Sequence, residues 1–105
     1  MATYIIYEDM TAPTITLVIT DSAGTARNIS GGTVVVKLYI GDGSGNRIVD
    51  GATMTKTGAT GEVSHVLTVA QSATPGTYTG QAEVTWSAGT VERTEPFTCD
   101  IRAKV

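Results

Sequence analysis

Tyr78-Thr79-Gly80-Gln81-Ala82-Glu83-Val84-Thr85-Trp86 decides the fold class. Tyr78, Gly80, Ala82, Val84 and Trp86 fall on one side of an extended chain, and every residue between them is polar. Side chains alternate across a β-strand with period two, so the stretch predicts a strand with one buried and one solvated face. The same period recurs on either side of it. Ile15, Leu17 and Ile19 oppose Thr14, Thr16, Val18 and Thr20, and Val34, Val36, Leu38 and Ile40 oppose Val35, Lys37 and Tyr39. Val63, His65, Leu67 and Val69 share a face, as do Phe97, Cys99 and Ile101. Val91 to Glu95 reads as a further strand, and Pro96, which has no N–H for a ladder, predicts a bulge or an edge.

Asp21-Ser22-Ala23-Gly24 and Ser87-Ala88-Gly89-Thr90 read as turns. Only Val69 to Ala73 looks helical, for one turn before Pro75. Thr, Val and Ile make up 38 of the 105 residues, and their stiff branched side chains suit a pleated sheet. With a first segment at Tyr4 to Tyr7, the expectation is an all-β, immunoglobulin-like sandwich of two sheets, with seven to nine short antiparallel strands. One domain fills 1–105, residues 1–11 forming an N-terminal arm and 12–101 the sandwich.

Seven basic residues against ten acidic ones, a net charge of −3 and a pI near 4.9 leave no cationic stripe for a phosphate backbone. The apolar stretches are a few residues long, against the roughly 20 needed to cross a bilayer. Nucleic-acid and membrane partners are therefore not expected. The N-terminus has no basic region followed by an apolar one, so it does not read as a secretory signal. Cys99 is the single cysteine, which suits a reducing cytoplasm.

Catalytic, cofactor and metal sets find little support. His65 is the single histidine and lies on an inward stripe, which predicts a packed, hydrogen-bonded imidazole. Cys99 alternates with Phe97 and Ile101 and reads as a buried, inert thiol. Asp42, Ser44 and Asn46 place oxygens as a calcium loop begins. Arg47 and Thr53 then stand where such a loop needs Gly and Glu, so a turn is expected. Glu83, Glu92 and Glu95 read as a solvated face. Docking is the function that this pattern suits: strand edges offer unpaired N–H and C=O groups, and the Thr-rich row Thr14, Thr16, Val18 and Thr20 suits a broad protein contact. The expected partner contacts are Tyr4, Tyr7, Thr14, Thr16, Val18, Lys37, Tyr39, Asp42 and Asn46. An adhesion module for host-surface glycans is the competing class, with Tyr39, and after it Tyr4 and Tyr7, as its candidate exposed aromatics.

Several segments carry a family resemblance in their order and spacing. Pro13-Thr14-Ile15-Thr16-Leu17 leads to Thr20-Asp21-Ser22-Ala23-Gly24, then to Ile29-Ser30-Gly31-Gly32-Thr33-Val34. Gly61-Glu62-Val63, Ala73-Thr74-Pro75-Gly76-Thr77-Tyr78, Glu83-Val84-Thr85-Trp86 and Pro96-Phe97 follow. Together, over roughly Ala12 to Ile101, they resemble the N-terminal domain of phage baseplate upper proteins, an immunoglobulin-like module of tail structures. The resemblance implies a docking domain without catalytic residues, homo-oligomeric or present in many copies in the particle, and binding other virion proteins. It also implies assembly in the host cytoplasm and residence in the virion. Members of that family usually continue into a helical stem, whereas this chain stops at Val105. The expectation is thus a standalone component: a baseplate or tail adaptor, a capsid decoration protein or a head fibre.

Overall fold

The computed structural model describes residues 3–8, 13–21, 23–30, 33–57 and 60–103. Among them are nine strands: β1 Thr3–Tyr7, β2 Thr14–Val18, β3 Val35–Gly41, β4 Arg47–Thr53, β5 Thr55–Lys56, β6 Glu62–Val66, β7 Gly76–Thr85, β8 Val91–Arg93 and β9 Phe97–Arg102. No helix occurs among the described residues. The larger sheet runs β1-β9-β7-β3-β4, with β8 also on β7, and the smaller runs β2-β6-β5. The expected all-β, two-sheet architecture is the observed one. Between the sheets lie Val36, Leu38, Ile40, Ala82 and Val84 from one side and Ile15, Val63 and Leu67 from the other, all buried.

β7, the alternating stretch that decided the fold class, is central. It pairs with β3 along one edge; along the other it pairs with β8 near Thr85 and with β9 near Gly76. The expected break at Pro96 is there. Thr94 donates its N–H to Ala82 at 3.0 Å and takes the Ala82 N–H on its hydroxyl at 3.1 Å, so Thr94-Glu95-Pro96 form a bulge between β8 and β9. On the far side of the molecule the chain passes from β4 to β5 through buried Met54, whose N–H binds the Val36 carbonyl. One continuous segment, β4–Met54–β5, thus links the two sheets on that flank.

Three expectations need correction. Not every pairing is antiparallel, because β1 lies parallel to β9 with Thr3 beside Thr98 and Tyr7 beside Arg102. The N-terminal segment is not an arm over Thr3–Tyr7, since that pairing buries Ile6 in the core; residues 9–12 lie outside the described residues. Val69 does not share the stripe of Val63 and Leu67. β6 ends at Val66, and a turn with Gln71 and Ser72 donating to the Thr68 carbonyl swings Val69 out to 49% exposure. That turn replaces the helix-like reading of Val69 to Ala73.

Candidate functional site

The groups with reactive chemistry are engaged within the fold. His65 Nε2 lies 3.1 Å from Gln71 Oε1, an oxygen that also accepts the Thr68 N–H at 3.0 Å. A carboxamide oxygen only accepts, so the contact requires the proton on Nε2. Cys99 is buried at the centre of the larger sheet, and loss of solvation, with Asp100 adding negative charge, pushes its thiol up to about 11. The neutral thiol therefore contributes stability that is whole below pH 9.0 and is lost as pH rises through about 11. We expect native Cys99 to react with iodoacetamide at pH 8 at least about a hundredfold more slowly than a free thiol. Equal rates would mean that the thiol is not enclosed. Among the described residues no group of three or more His, Cys, Asp or Glu could hold a metal ion.

The Asp42 loop is built around its own backbone. The Asp42 carboxylate accepts the Ser44 N–H at 2.8 Å and the Asn46 side-chain amide at 3.2 Å, and the Ser44 contact leads in holding its pKa low. Both oxygens are thereby occupied by the turn. Of the three carboxylates, Glu83 pairs with Arg93 at 3.0 Å and Glu92 with Arg27 at 2.6 Å. Arg27 also lies 3.9 Å over the ring of half-buried Trp86. A polar hollow of about 300 Å³ lies on the outer face between Tyr39, Arg47, Gln81, Glu83 and Arg93. The Arg47 guanidinium lies over the Tyr39 ring, 5.2 Å from its centroid, so that ring face is already taken by a cation.

The remaining candidates meet on the flank opposite the β4–β5 crossover. Among the described residues β2 pairs with β6 alone, and Ile19 and Pro13 bond Gly61 and Leu67 across that ladder. Antiparallel pairs alternate between bonded and non-bonded, so Ile15 and Leu17 also turn their N–H and C=O groups toward β6, whereas Thr16 and Val18 turn theirs outward. β1, on the adjoining edge of the larger sheet, behaves likewise. Glu8 donates to the Arg102 carbonyl, which places Tyr4 and Ile6 in the β9 ladder and turns the Ile5 backbone outward. The two edges are tied by the Tyr4 hydroxyl, which donates to the Thr16 carbonyl at 2.5 Å, while the Tyr4 ring meets Phe97 edge-on at 5.2 Å.

Beyond this tie a groove of about 720 Å³ opens between β2 and the Thr94–Pro96 bulge. Its lining includes Leu17, Val18, Asp21, Glu95, Pro96 and Phe97. Five of the nine expected contact residues, Tyr4, Tyr7, Thr14, Thr16 and Val18, thus belong to two neighbouring strands. Tyr4 is half-buried and structural, and Tyr7 hydrogen-bonds Arg102. Lys37 and Tyr39 lie apart on the outer face of β3, and Asp42 and Asn46 lie in the β3–β4 loop. Sequence reasoning missed Ile5, which is 53% exposed, and Glu95. The adjacent pair Ile5-Ile6 carried the signal for the first, since alternation must turn one of them out.

No protein-family model matches the chain, and no curated protein matches its sequence. Among solved structures it is similar to the crystal structure of CopC from Methylosinus trichosporium OB3b, with a TM-score of 0.55 and 16% identity over 100% of this chain and 90% of that one. At that identity the likeness is one of fold.

Proposed function

We propose that the protein is a non-enzymatic attachment module of a bacteriophage particle, docking onto other virion proteins in the baseplate or tail, or on the capsid. The observation that carries the docking part is the flank where the end strands β1 and β2 of the two sheets, tied by the Tyr4 hydroxyl on the Thr16 carbonyl, turn backbone groups outward. An extended segment of a neighbour can complete such edges through main-chain hydrogen bonds, with alternate side chains setting the specificity. Repetition around a symmetric particle multiplies modest single contacts through avidity. The virion part is supported by the order of segments from Pro13 to Phe97 that resembles the phage baseplate upper protein domain.

The immunoglobulin-like label has its own support. The Tyr78 hydroxyl binds the Thr74 carbonyl at 2.9 Å, four residues upstream at the start of a long strand. Immunoglobulin-type sandwiches place a tyrosine in that way at the corner between two strands.

Mass spectrometry of purified particles of the encoding phage tests the proposal. We expect this chain among the stoichiometric components: a high copy number would indicate a shell role, and a small multiple of the tail symmetry a baseplate role. Particles complete without it would overturn the proposal.

A further inference from the structure

We infer that the β1–β2 flank is a strand-addition site for an extended, Lys- or Arg-bearing segment of another protein, seated along Val18 with its cation against Glu95. The inference rests on the docking reading above and names the partner's chemistry. Natural sheets blunt their free edges with charge, proline, bulges or brevity, because an open edge pairs with whatever strand it meets. The other edges here are blunted. β4 carries Arg47 and Asp50, has register shifts against β3, and holds Gly51 at φ 80°. β5 has two residues and β8 three. By contrast β1 (Thr-Tyr-Ile-Ile-Tyr) and β2 (Thr-Ile-Thr-Leu-Val) contain no charge and no proline, and neither shows a register shift.

The groups on offer are specific. The Tyr4 hydroxyl occupies the Thr16 carbonyl, which leaves the Thr16 N–H and both backbone groups of Val18 facing outward. These lie two residues apart on one edge, the spacing at which an added strand bonds. Val18, 50% exposed, stands beside them, and the groove continues past it over Leu17, Pro96 and Phe97. Its charge selects the occupant. Arg93 is matched by Glu83, and Asp21 already accepts the Ala23 and Thr25 amides. The exposed Glu95 carboxylate has no partner among the described residues. A second copy of this chain seated through its own β2 would bring no cation on that strand, which carries no charge. A cationic segment removes the mismatch.

The test uses the full chain, ¹⁵N-labelled, and two blocked heptapeptides of alternating Val and Thr, one with Lys and one with Glu at each end. The Lys peptide should shift the Thr16 and Val18 amides and slow their hydrogen exchange, and it should bind about tenfold more tightly than the Glu peptide. Val18→Pro removes the outward donor but no β6 bond. It should weaken the Lys peptide at least about tenfold while Ile15 and Leu17 keep their exchange protection. Val18→Lys, an edge charge that no fold need resist, should do the same, and Glu95→Lys should invert the preference between the peptides.

Shifts centred on Lys37 and Tyr39, or wild-type affinity in both Val18 variants, would overturn the inference. Dimerisation through β2 that the Lys peptide does not compete would also overturn it. Entry of Val18→Pro into particles at wild-type level would remove strand addition and leave docking standing. A peptide response in a chain absent from particles would do the reverse.

Discussion

Gly80→Ala is expected to lower the unfolding free energy by about 3 kcal/mol in urea titration, the upper range for overpacking a core. Placing alanine for glycine in a strand interior ordinarily helps, because glycine loses more conformational freedom on folding. Here the sign reverses for a steric reason. Gly80 pairs directly with Phe97 across β7 and β9, and the aromatic ring lies over the glycine. A Cβ at Gly80 would stand 2.2, 2.4 and 2.8 Å from three ring carbons. The ring is 3% exposed and held edge-on against Tyr4, so it has little room to withdraw. Shrinking the neighbour should therefore rescue the substitution: combined with Phe97→Leu, Gly80→Ala should cost less than it does alone, with a coupling of about 1–2 kcal/mol in a double-mutant cycle. A Gly80→Ala protein as stable as the parent would show that the ring does not occupy this position.

Removing residues 1–8 is expected to cost about 4 kcal/mol, a sum of one buried Ile, one aromatic pair and one side-chain hydrogen bond. The loss falls on Ile6, on the Tyr4–Phe97 contact and on the Tyr4 tie to Thr16. It would also bare the inward residues of β9 along their outer edge. Against a total of about 5–15 kcal/mol for a domain, such a loss is a large share, so the truncated chain should melt far earlier and bind a hydrophobic dye. Tyr4→Phe, which removes the tie alone, should cost about 1 kcal/mol. A truncated chain with an unchanged denaturation midpoint would return Thr3–Tyr7 to the status of a free arm.

Much of the architecture was legible because burial in a sheet follows side-chain alternation. The stripes through Ile15, Val36, Leu38, Ala82, Val84 and Cys99 are all buried where period two puts them. The interruption at Pro96 was legible too, since a missing N–H is a local property. What alternation does not carry is which strand lies beside which. The parallel partnership of β1 with β9 joins opposite ends of the chain, and no short window of residues contains it. The docking flank inherits that limit. Thr16 and Val18 could be placed on an outward row, but their backbone groups face outward because β6 takes one side of β2, and among the described residues they meet only the Tyr4 hydroxyl, at the Thr16 carbonyl, on the other. Val69 was misplaced because the hydrogen bonds of the Thr68 turn end the strand before the apolar spacing does.

The parallel pairing of β1 and β9 also sets how the molecule answers tension. A pull on the chain toward its start at Thr3 and toward its end at Arg102 drags these strands past each other along their length. All the ladder bonds between them are loaded at once, in shear, whereas a hairpin pulled open at its mouth breaks its bonds one after another. Rupture under force is governed by the rate of unfolding. The five paired positions from Thr3–Thr98 to Tyr7–Arg102 therefore act as a mechanical lock against stretching.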